Sequence, residues 1–78
     1  MNKYEVIVDY GKPYNVFCND YETLLEFLVK IDGYYEEYKD EYPYFEVQVY
    51  YKQKNITDVI LQYFWNHKTE IIRNINNK

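Results

Sequence analysis

The segment from residue 44 to residue 52, YFEVQVYYK, alternates between two sets of side chains. The first set comprises Phe45, Val47, Val49 and Tyr51, and the second comprises Tyr44, Glu46, Gln48, Tyr50 and Lys52. Successive side chains of a β-strand point to opposite faces of the sheet, so this pattern predicts a strand with one buried and one solvated face. Such a sheet needs helices on its apolar face, which limits the chain to a layered α+β arrangement.

A second alternating segment predicts a β-hairpin near the N-terminus. Residues 3–10 read KYEVIVDY, residues 14–18 read YNVFC, and the turn residues Gly11, Lys12 and Pro13 lie between them. Glycine can adopt a positive φ and proline fixes the φ that follows, so this tripeptide favours a tight connection. The two segments are therefore expected to pair as neighbouring strands.

A first helix is predicted from about residue 20 to about residue 32. Apolar side chains recur there at helical spacing. They are Tyr21, Leu24, Leu25, Phe27, Leu28 and Ile31. Asn19 or Asp20 is expected to cap the N-terminus, and Gly33 suits a left-handed C-cap.

The sequence of residues 34–42, YYEEYKDEY, is compatible with two structures. Its tyrosines follow three-to-four spacing, which favours a short second helix or a continuation of the first. Its density of carboxylates favours an acidic loop. Pro43 ends the segment in either case, because a residue that precedes proline disfavours helix.

The last helix is predicted to begin after the cap Asn55, with Asp58 near the positive end of the helix dipole. The complete prediction is an α+β two-layer domain. It has a three-stranded, largely antiparallel sheet in the order ββαβα, an extra short helix as the open alternative at residues 34–42, and helices packed on one face. Residues 1–78 form a single domain, with a frayed tail at about residues 74–78.

The inventory of reactive side chains argues against an enzyme. The chain contains no serine, one cysteine and one histidine, so a serine triad and an internal disulfide are both excluded. Cys18 is expected to be a small buried side chain. His67, with Glu70 three residues later, is expected at the edge of the core rather than in a metal site. Gly11 and Gly33 stand alone, so no glycine-rich phosphate loop is present. We therefore expect no catalysis, no cofactor and no metal.

Charge is distributed unevenly along the chain. Residues 1–46 hold 11 acids and 4 bases, a net charge of −7, whereas residues 47–78 hold 2 acids and 5 bases, a net charge of +3. An acidic face repels nucleic-acid phosphates, but it complements the basic channel of a nucleic-acid-binding protein. Tyrosine adds a large, rigid contact surface at low entropy cost. The predicted partner-binding residues are Tyr35, Glu36, Glu37, Tyr38, Asp40, Glu41 and Tyr42.

These features predict a non-catalytic inhibitor that occupies the basic groove of a host defence protein or nucleic-acid enzyme, without binding nucleic acid or membranes itself. Asn, Lys, Ile, Tyr and Phe make up 39 of 78 residues, which indicates an AT-rich genome, that of a low-GC bacterium, a phage or other mobile element, or an archaeal virus. In size and charge the chain is similar to the small acidic, DNA-mimicking or anti-CRISPR-like inhibitors of phages and archaeal viruses. The N-terminus lacks a secretory signal pattern and no apolar run reaches roughly 20 residues, so a cytoplasmic location is expected.

Two alternatives remain open. The last helix carries more large apolar residues than one small sheet can cover, so Leu61, Phe64 and Trp65 are predicted to form the interface of a structural homodimer. The other alternative is a single-stranded nucleic-acid-binding module, in which Tyr44 and Tyr50 on the wet face of their strand would stack on bases.

Overall fold

The computed structural model describes residues 3–41 and 45–77, and this part of the chain forms an α+β domain. Its elements follow the order ββαββα. They are β1 (Tyr4–Asp9), β2 (Tyr14–Cys18), α1 (Tyr21–Tyr38), β3 (Glu46–Tyr51), β4 (Lys54–Asn55) and α2 (Thr57–Asn76). The predicted class is therefore confirmed, whereas the predicted order ββαβα lacks one strand.

In the described residues the sheet has four antiparallel strands in the order β2-β1-β3-β4. The strand that the sequence analysis missed is β4, which pairs with the end of β3 through Tyr51 and Lys54. Lys52 and Gln53 form the two-residue turn between them and have φ values of 50° and 70°. Positive φ at both central positions matches the twist of a tight hairpin, but it is usually signalled by Asn-Gly rather than Lys-Gln. The turn therefore left no clear sequence signal.

Both helices pack on the face of the sheet that carries Val6, Val8 and Val49. The buried core joins these valines to apolar residues of α1 and α2 and to Cys18. The helical members are Leu24, Leu28, Ile31, Ile60, Phe64 and Ile71. The alternation in β3 thus assigned its buried face correctly, and the opposite face of the sheet carries no helix in the described part of the chain.

Helix α1 begins where predicted but ends later. Asp20 is extended (φ −142°) and its Oδ1 accepts a hydrogen bond from the backbone N of Thr23 at 2.7 Å, so it is the N-cap. The left-handed C-cap predicted at Gly33 is wrong, because α1 continues through this residue to Tyr38. Residues 34–38 are therefore a continuation of the first helix, and residues 39–41 form a turn.

Helix α2 is tied to the sheet at its start. Ile56 occupies the N-cap position predicted for Asn55, although the Asn55 Oδ1 accepts a hydrogen bond from the backbone N of Thr57 at 2.9 Å. The Thr57 Oγ1 accepts from the backbone N of Val49 at 2.8 Å and donates to its carbonyl at 3.3 Å. The helix continues to Asn76 and Ile75 packs against the core, so most of the tail predicted to be frayed is helical. Neither described helix offers an apolar stretch suited to crossing a bilayer.

Candidate functional site

A groove lined by tyrosines lies between the C-terminal half of α1 and the turn end of the β1–β2 hairpin. Its volume is about 370 Å³. We call it the tyrosine groove, and its lining residues are Val8, Tyr10, Tyr14, Ile31, Tyr34, Tyr35, Tyr38, Lys39 and Phe45. Five of these nine side chains are tyrosines, so the surface is apolar but edged with hydroxyl groups.

The extension of α1 beyond Gly33 produces this groove. Tyr34, Tyr35 and Tyr38 lie three, four and seven positions after Ile31, so they continue the buried stripe of the helix. Unlike Ile31, they are partly exposed. Glu36 and Glu37 lie five and six positions after Ile31 and therefore project from the opposite side of the helix. The phenols and carboxylates that alternate in the sequence are separated in space.

Ring contacts hold the groove in shape. Tyr35 and Phe45 meet edge to face, with ring centroids 5.3 Å apart, and Tyr10 and Tyr14 do so at 6.1 Å. Such pairs contribute roughly 0.5–1.5 kcal/mol beyond simple burial. Burial raises the pKa of the Tyr14 phenol, and the neighbouring Tyr10 and Tyr34 raise it further. The Tyr14 hydroxyl is therefore a neutral hydrogen-bonding group at physiological pH.

A second groove, of about 280 Å³, lies on the other side of the Tyr35–Phe45 pair. We call it the tryptophan groove, and its lining residues are Leu28, Ile31, Asp32, Tyr35, Phe45, Val47, Leu61, Phe64 and Trp65. Trp65 is 55% exposed, and the Lys68 Nζ lies 4.8 Å from the centroid of its ring while also forming an ion pair with Asp32. The two grooves share Ile31, Tyr35 and Phe45, and together they form one aromatic surface.

The end of the domain that carries the tyrosine groove is also its acidic end. All four carboxylates predicted for partner binding are exposed; they are Glu36, Glu37, Asp40 and Glu41. The first of them pairs with Lys39, whose Nζ lies 3.3 Å from the Glu36 Oε2. Asp9 and Glu46, which are register partners, lie at the same end of the sheet. Lys52 and Lys54 lie at the other end of β3, so the charge separation seen in the sequence is partly preserved in space.

The other predicted binding residues have varied positions. Tyr42 and Tyr44 lie outside the described residues. Tyr50 is half-buried, and its hydroxyl donates a hydrogen bond to the Gln48 Oε1 at 3.1 Å. Its register partner on β1 is Glu5. This part of the open face therefore presents a carboxylate beside the ring that was predicted to stack on bases.

The predicted oligomer interface does not form one exposed patch. Phe64 is only 2% exposed because it belongs to the core of its own chain. Leu61 is half-buried and packs against that core. Trp65 alone is well exposed among these three residues, and it lines the tryptophan groove. Phe64 and Leu61 are therefore accounted for by packing within the domain.

Cys18 and His67 lie in different environments. Cys18 is 1% exposed, and burial, together with the nearby Asp20, raises the pKa of its thiol. A thiol in this state is a poor nucleophile. His67 is exposed, which differs from the predicted position at the core's edge, and it lies at a kink in α2 with its ring 4.5 Å from that of Tyr63. Within the described residues, no group of three His, Cys, Asp or Glu side chains could hold a metal ion.

Sequence reasoning missed four aromatic residues of the tyrosine groove, namely Tyr10, Tyr14, Tyr34 and Phe45. Tyr10 and Tyr14 flank the Gly11-Lys12-Pro13 turn, which brings them close together. That turn was recognised, and it is the signal that could have located both rings. The position of Phe45 opposite Tyr35 depends on tertiary packing and has no local signal.

Protein-family models, curated proteins and solved structures were compared with this chain, and none matches it. Its function has to be inferred from its own residues.

Proposed function

We propose that this protein is a non-catalytic inhibitor that binds a basic protein through its aromatic surface and acidic end, and so blocks a groove that would otherwise bind nucleic acid. The observation that carries the proposal is the tyrosine groove at the end of the domain where the exposed carboxylates concentrate. An apolar, aromatic groove beside negative charge suits a partner surface that presents arginine and lysine side chains.

The two sides of α1 have different tasks in this proposal. The groove side receives apolar or guanidinium groups, because tyrosine rings stack on a cation and their hydroxyls accept hydrogen bonds. The outer side presents Glu36 and Glu37, and the following turn presents Asp40 and Glu41. These carboxylates imitate phosphates, and they also accelerate encounter with a positive surface. Lys39 forms an ion pair with Glu36, and this pairing weakens the repulsion between the Lys39 ammonium and a basic partner.

The class of partner follows from charge and composition. A groove that binds nucleic acid is lined with lysine and arginine, so its charge complements this end of the domain. The coding bias and small size favour a phage, a virus or a mobile element as the source, and the cytoplasm of its host as the location. A nuclease or another protein of host defence is the partner that fits these properties best.

Binding to an arginine-rich peptide tests the chemistry of the site. The variant with Glu36→Gln, Glu37→Gln, Asp40→Asn and Glu41→Gln should bind at least about tenfold more weakly at low salt. A two-charge control, Glu22→Gln with Glu70→Gln, should bind nearly as the wild type does, whereas the matched pair Glu36→Gln with Glu37→Gln should not. Equal losses in the two double variants would show that only net charge matters.

The aromatic component needs a separate variant. Tyr38→Ala should weaken binding by about 2 kcal/mol, or roughly 30-fold, if the groove anchors the partner. Tyr63→Ala is the matched control, because Tyr63 is similarly exposed but lines neither groove. Affinity capture from nuclease-treated host lysate should then recover a nucleic-acid-binding protein with the wild type and not with Tyr38→Ala. Recovery of no such protein would contradict the proposal.

The nucleic-acid alternative is less well supported by the open face of the sheet. Glu5, Asp9 and Glu46 project from this face, and their charge opposes a phosphate backbone. Titration with a fluorescent single-stranded oligonucleotide at low salt discriminates the two functions. Saturable binding that Tyr50→Ala abolishes would favour the nucleic-acid module over the inhibitor.

A further inference from the structure

Strand β2 forms one edge of the sheet, and the direction of its free backbone groups can be derived from the hydrogen bonds of the other strands. The backbone N of Lys52 donates to the carbonyl of Lys3, so Lys3 faces β3. The side to which the backbone N–H and C=O groups point alternates along a strand. Those of Glu5 and Ile7 therefore also bond to β3, whereas those of Val6 bond to β2. Val49 gives an independent check. It is the register partner of Val6, and its N and O bond to Thr57 and Ile56, away from β1.

This alternation fixes which groups of β2 point outward. The register pairs Tyr4, Val6 and Val8 with Cys18, Val16 and Tyr14. These three β2 residues therefore bond to β1. Asn15 and Phe17 turn their N–H and C=O groups to the free edge, which gives two donors and two acceptors in a row.

Among the described residues, β2 itself lacks the usual protection against pairing. Exposed edge strands commonly carry lysine, proline or a bulge that prevents association with another strand. The sequence of β2, YNVFC, has no charge and no proline, and its pairing with β1 is continuous. Phe17 is a large aromatic residue of β2, and 54% of it is exposed to solvent. An unprotected edge of this kind is a template for another strand.

We propose that a second copy of this chain pairs with the edge, β2 against β2 and antiparallel, to form a homodimer with one eight-stranded sheet. A two-fold axis at Val16 places Asn15 opposite Phe17 of the second copy, and Tyr14 opposite Cys18. All five residues of β2 are then paired. The outward donors and acceptors of Asn15 and Phe17 match those of the second copy in four hydrogen bonds.

The flank of α1 beside this edge is also suited to a second copy. A groove of about 500 Å³ runs along it, between β2 and the outer side of α1. Phe27 and Val29 contribute half-buried apolar surface to it, and Glu26 and Lys30 lie one turn apart on its rim. An antiparallel copy reverses the order of these charges, so Glu26 of one chain is presented to Lys30 of the other. A self-complementary charge pattern is what a two-fold interface requires.

This arrangement leaves the proposed function undisturbed and gives it two sites. Two antiparallel copies of α1 end in opposite directions, so the two aromatic surfaces lie at opposite ends of the dimer. Tyr14, at the start of the paired strand, is the one residue of β2 that also lines the aromatic surface, and Phe17 lines neither groove. The oligomeric state and the binding of a basic partner can therefore be tested independently.

Light scattering coupled to gel filtration tests the dimer. The monomer has a mass of 9.8 kDa, and the wild type is expected at about twice this value at high micromolar concentration. Phe17→Lys should shift the mass to that of the monomer with an unchanged circular dichroism spectrum, because it places a cation at the paired edge. Tyr50→Lys is the control, since it changes an aromatic residue of the same open face on an inner strand and should stay dimeric.

Hydrogen exchange provides a test that needs no variant. In the dimer the amides of Asn15 and Phe17 should be protected, and their protection should fall on dilution. The amide of Val16 bonds to β1 in either state, so its protection should depend much less on concentration. A monomeric mass at every concentration would overturn the proposal. So would a dimer that persists in Phe17→Lys, or rapid exchange at Asn15 and Phe17 in a dimeric sample.

Discussion

Replacing Gly33 by alanine tests the continuous helix that builds the tyrosine groove. A glycine in a left-handed C-cap resists replacement, because a Cβ is unfavourable at positive φ. A glycine inside a helix is itself the unfavourable residue, and alanine stabilises that position by about 0.8–1.0 kcal/mol. The effect of Gly33→Ala on stability therefore has opposite signs in the two structures. It is destabilising if Gly33 is the left-handed C-cap predicted from sequence, and stabilising if Gly33 lies inside a continuous helix.

The surroundings of Gly33 leave room for a Cβ, so alanine should give the full gain in helix stability. A Cβ built at this position has no heavy atom within 4 Å, so it would meet no steric resistance. The free energy of unfolding should rise by about 1 kcal/mol, which corresponds to an increase in Tm of roughly 4–8 °C for a domain of this size. Urea unfolding followed by circular dichroism measures the change, and the slope with urea should stay constant.

Gly11→Ala is the matched control. A Cβ at Gly11 also has no heavy atom within 4 Å, but the residue has a φ of 106°. The two substitutions thus differ in backbone conformation and not in available space. Gly11→Ala should destabilise by at least about 1 kcal/mol. Destabilisation by Gly33→Ala would refute the continuous helix and, with it, the placement of Tyr34, Tyr35 and Tyr38 along one groove.

Three further changes have outcomes that follow from the structure. Asp20→Ala removes the N-cap of α1 and should lower the free energy of unfolding, measured in urea, by about 1 kcal/mol. Asp20→Asn should keep most of the stabilisation that the cap provides. Leu24→Ala empties a fully buried site and should cost about 2–5 kcal/mol in the same assay, against little change for Val59→Ala at an exposed position. Burial raises the pKa of Tyr14, so the folded state holds this proton more tightly than the unfolded state does. Urea midpoints should therefore be insensitive to this group up to about pH 10 and should decrease as the pH rises further, and this decrease should be smaller in Tyr14→Phe.

The sequence was informative where one face of an element is buried. The alternation in β3 and the stripe of α1 identified Val49 and Leu24 correctly, because burial imposes a strict period on apolar residues. It failed where tertiary contacts outweigh local preference. Gly33 is a typical helix terminator, yet the stripe that resumes at Tyr34 gives the helix further surface to pack, and this packing compensates for one unfavourable residue.

The candidate site was only half predictable for the same reason. The segment at residues 34–42 was identified from its composition, but the separation of its phenols and carboxylates becomes visible only once the segment is known to be helical. The remaining walls of the groove come from the β1–β2 hairpin and from Phe45, which are distant in sequence from α1. A local pattern cannot specify which distant rings will meet.

The choice of tyrosine at positions 34, 35 and 38 can now be explained in physical terms. These positions continue the apolar stripe of α1, where leucine or isoleucine would be expected if the surface were fully covered. Uncovered aliphatic side chains at the same positions would form a patch that favours nonspecific aggregation. Tyrosine supplies a comparable apolar area and keeps a hydroxyl that water can solvate in the free protein. The carboxylates on the opposite side of the helix add mutual repulsion between copies at this end. In the proposed function, the aromatic surface stays exposed in the free protein until a surface of opposite charge covers it. The uncharged edge of β2 lacks this protection, and it is the edge that we propose pairs with a second copy.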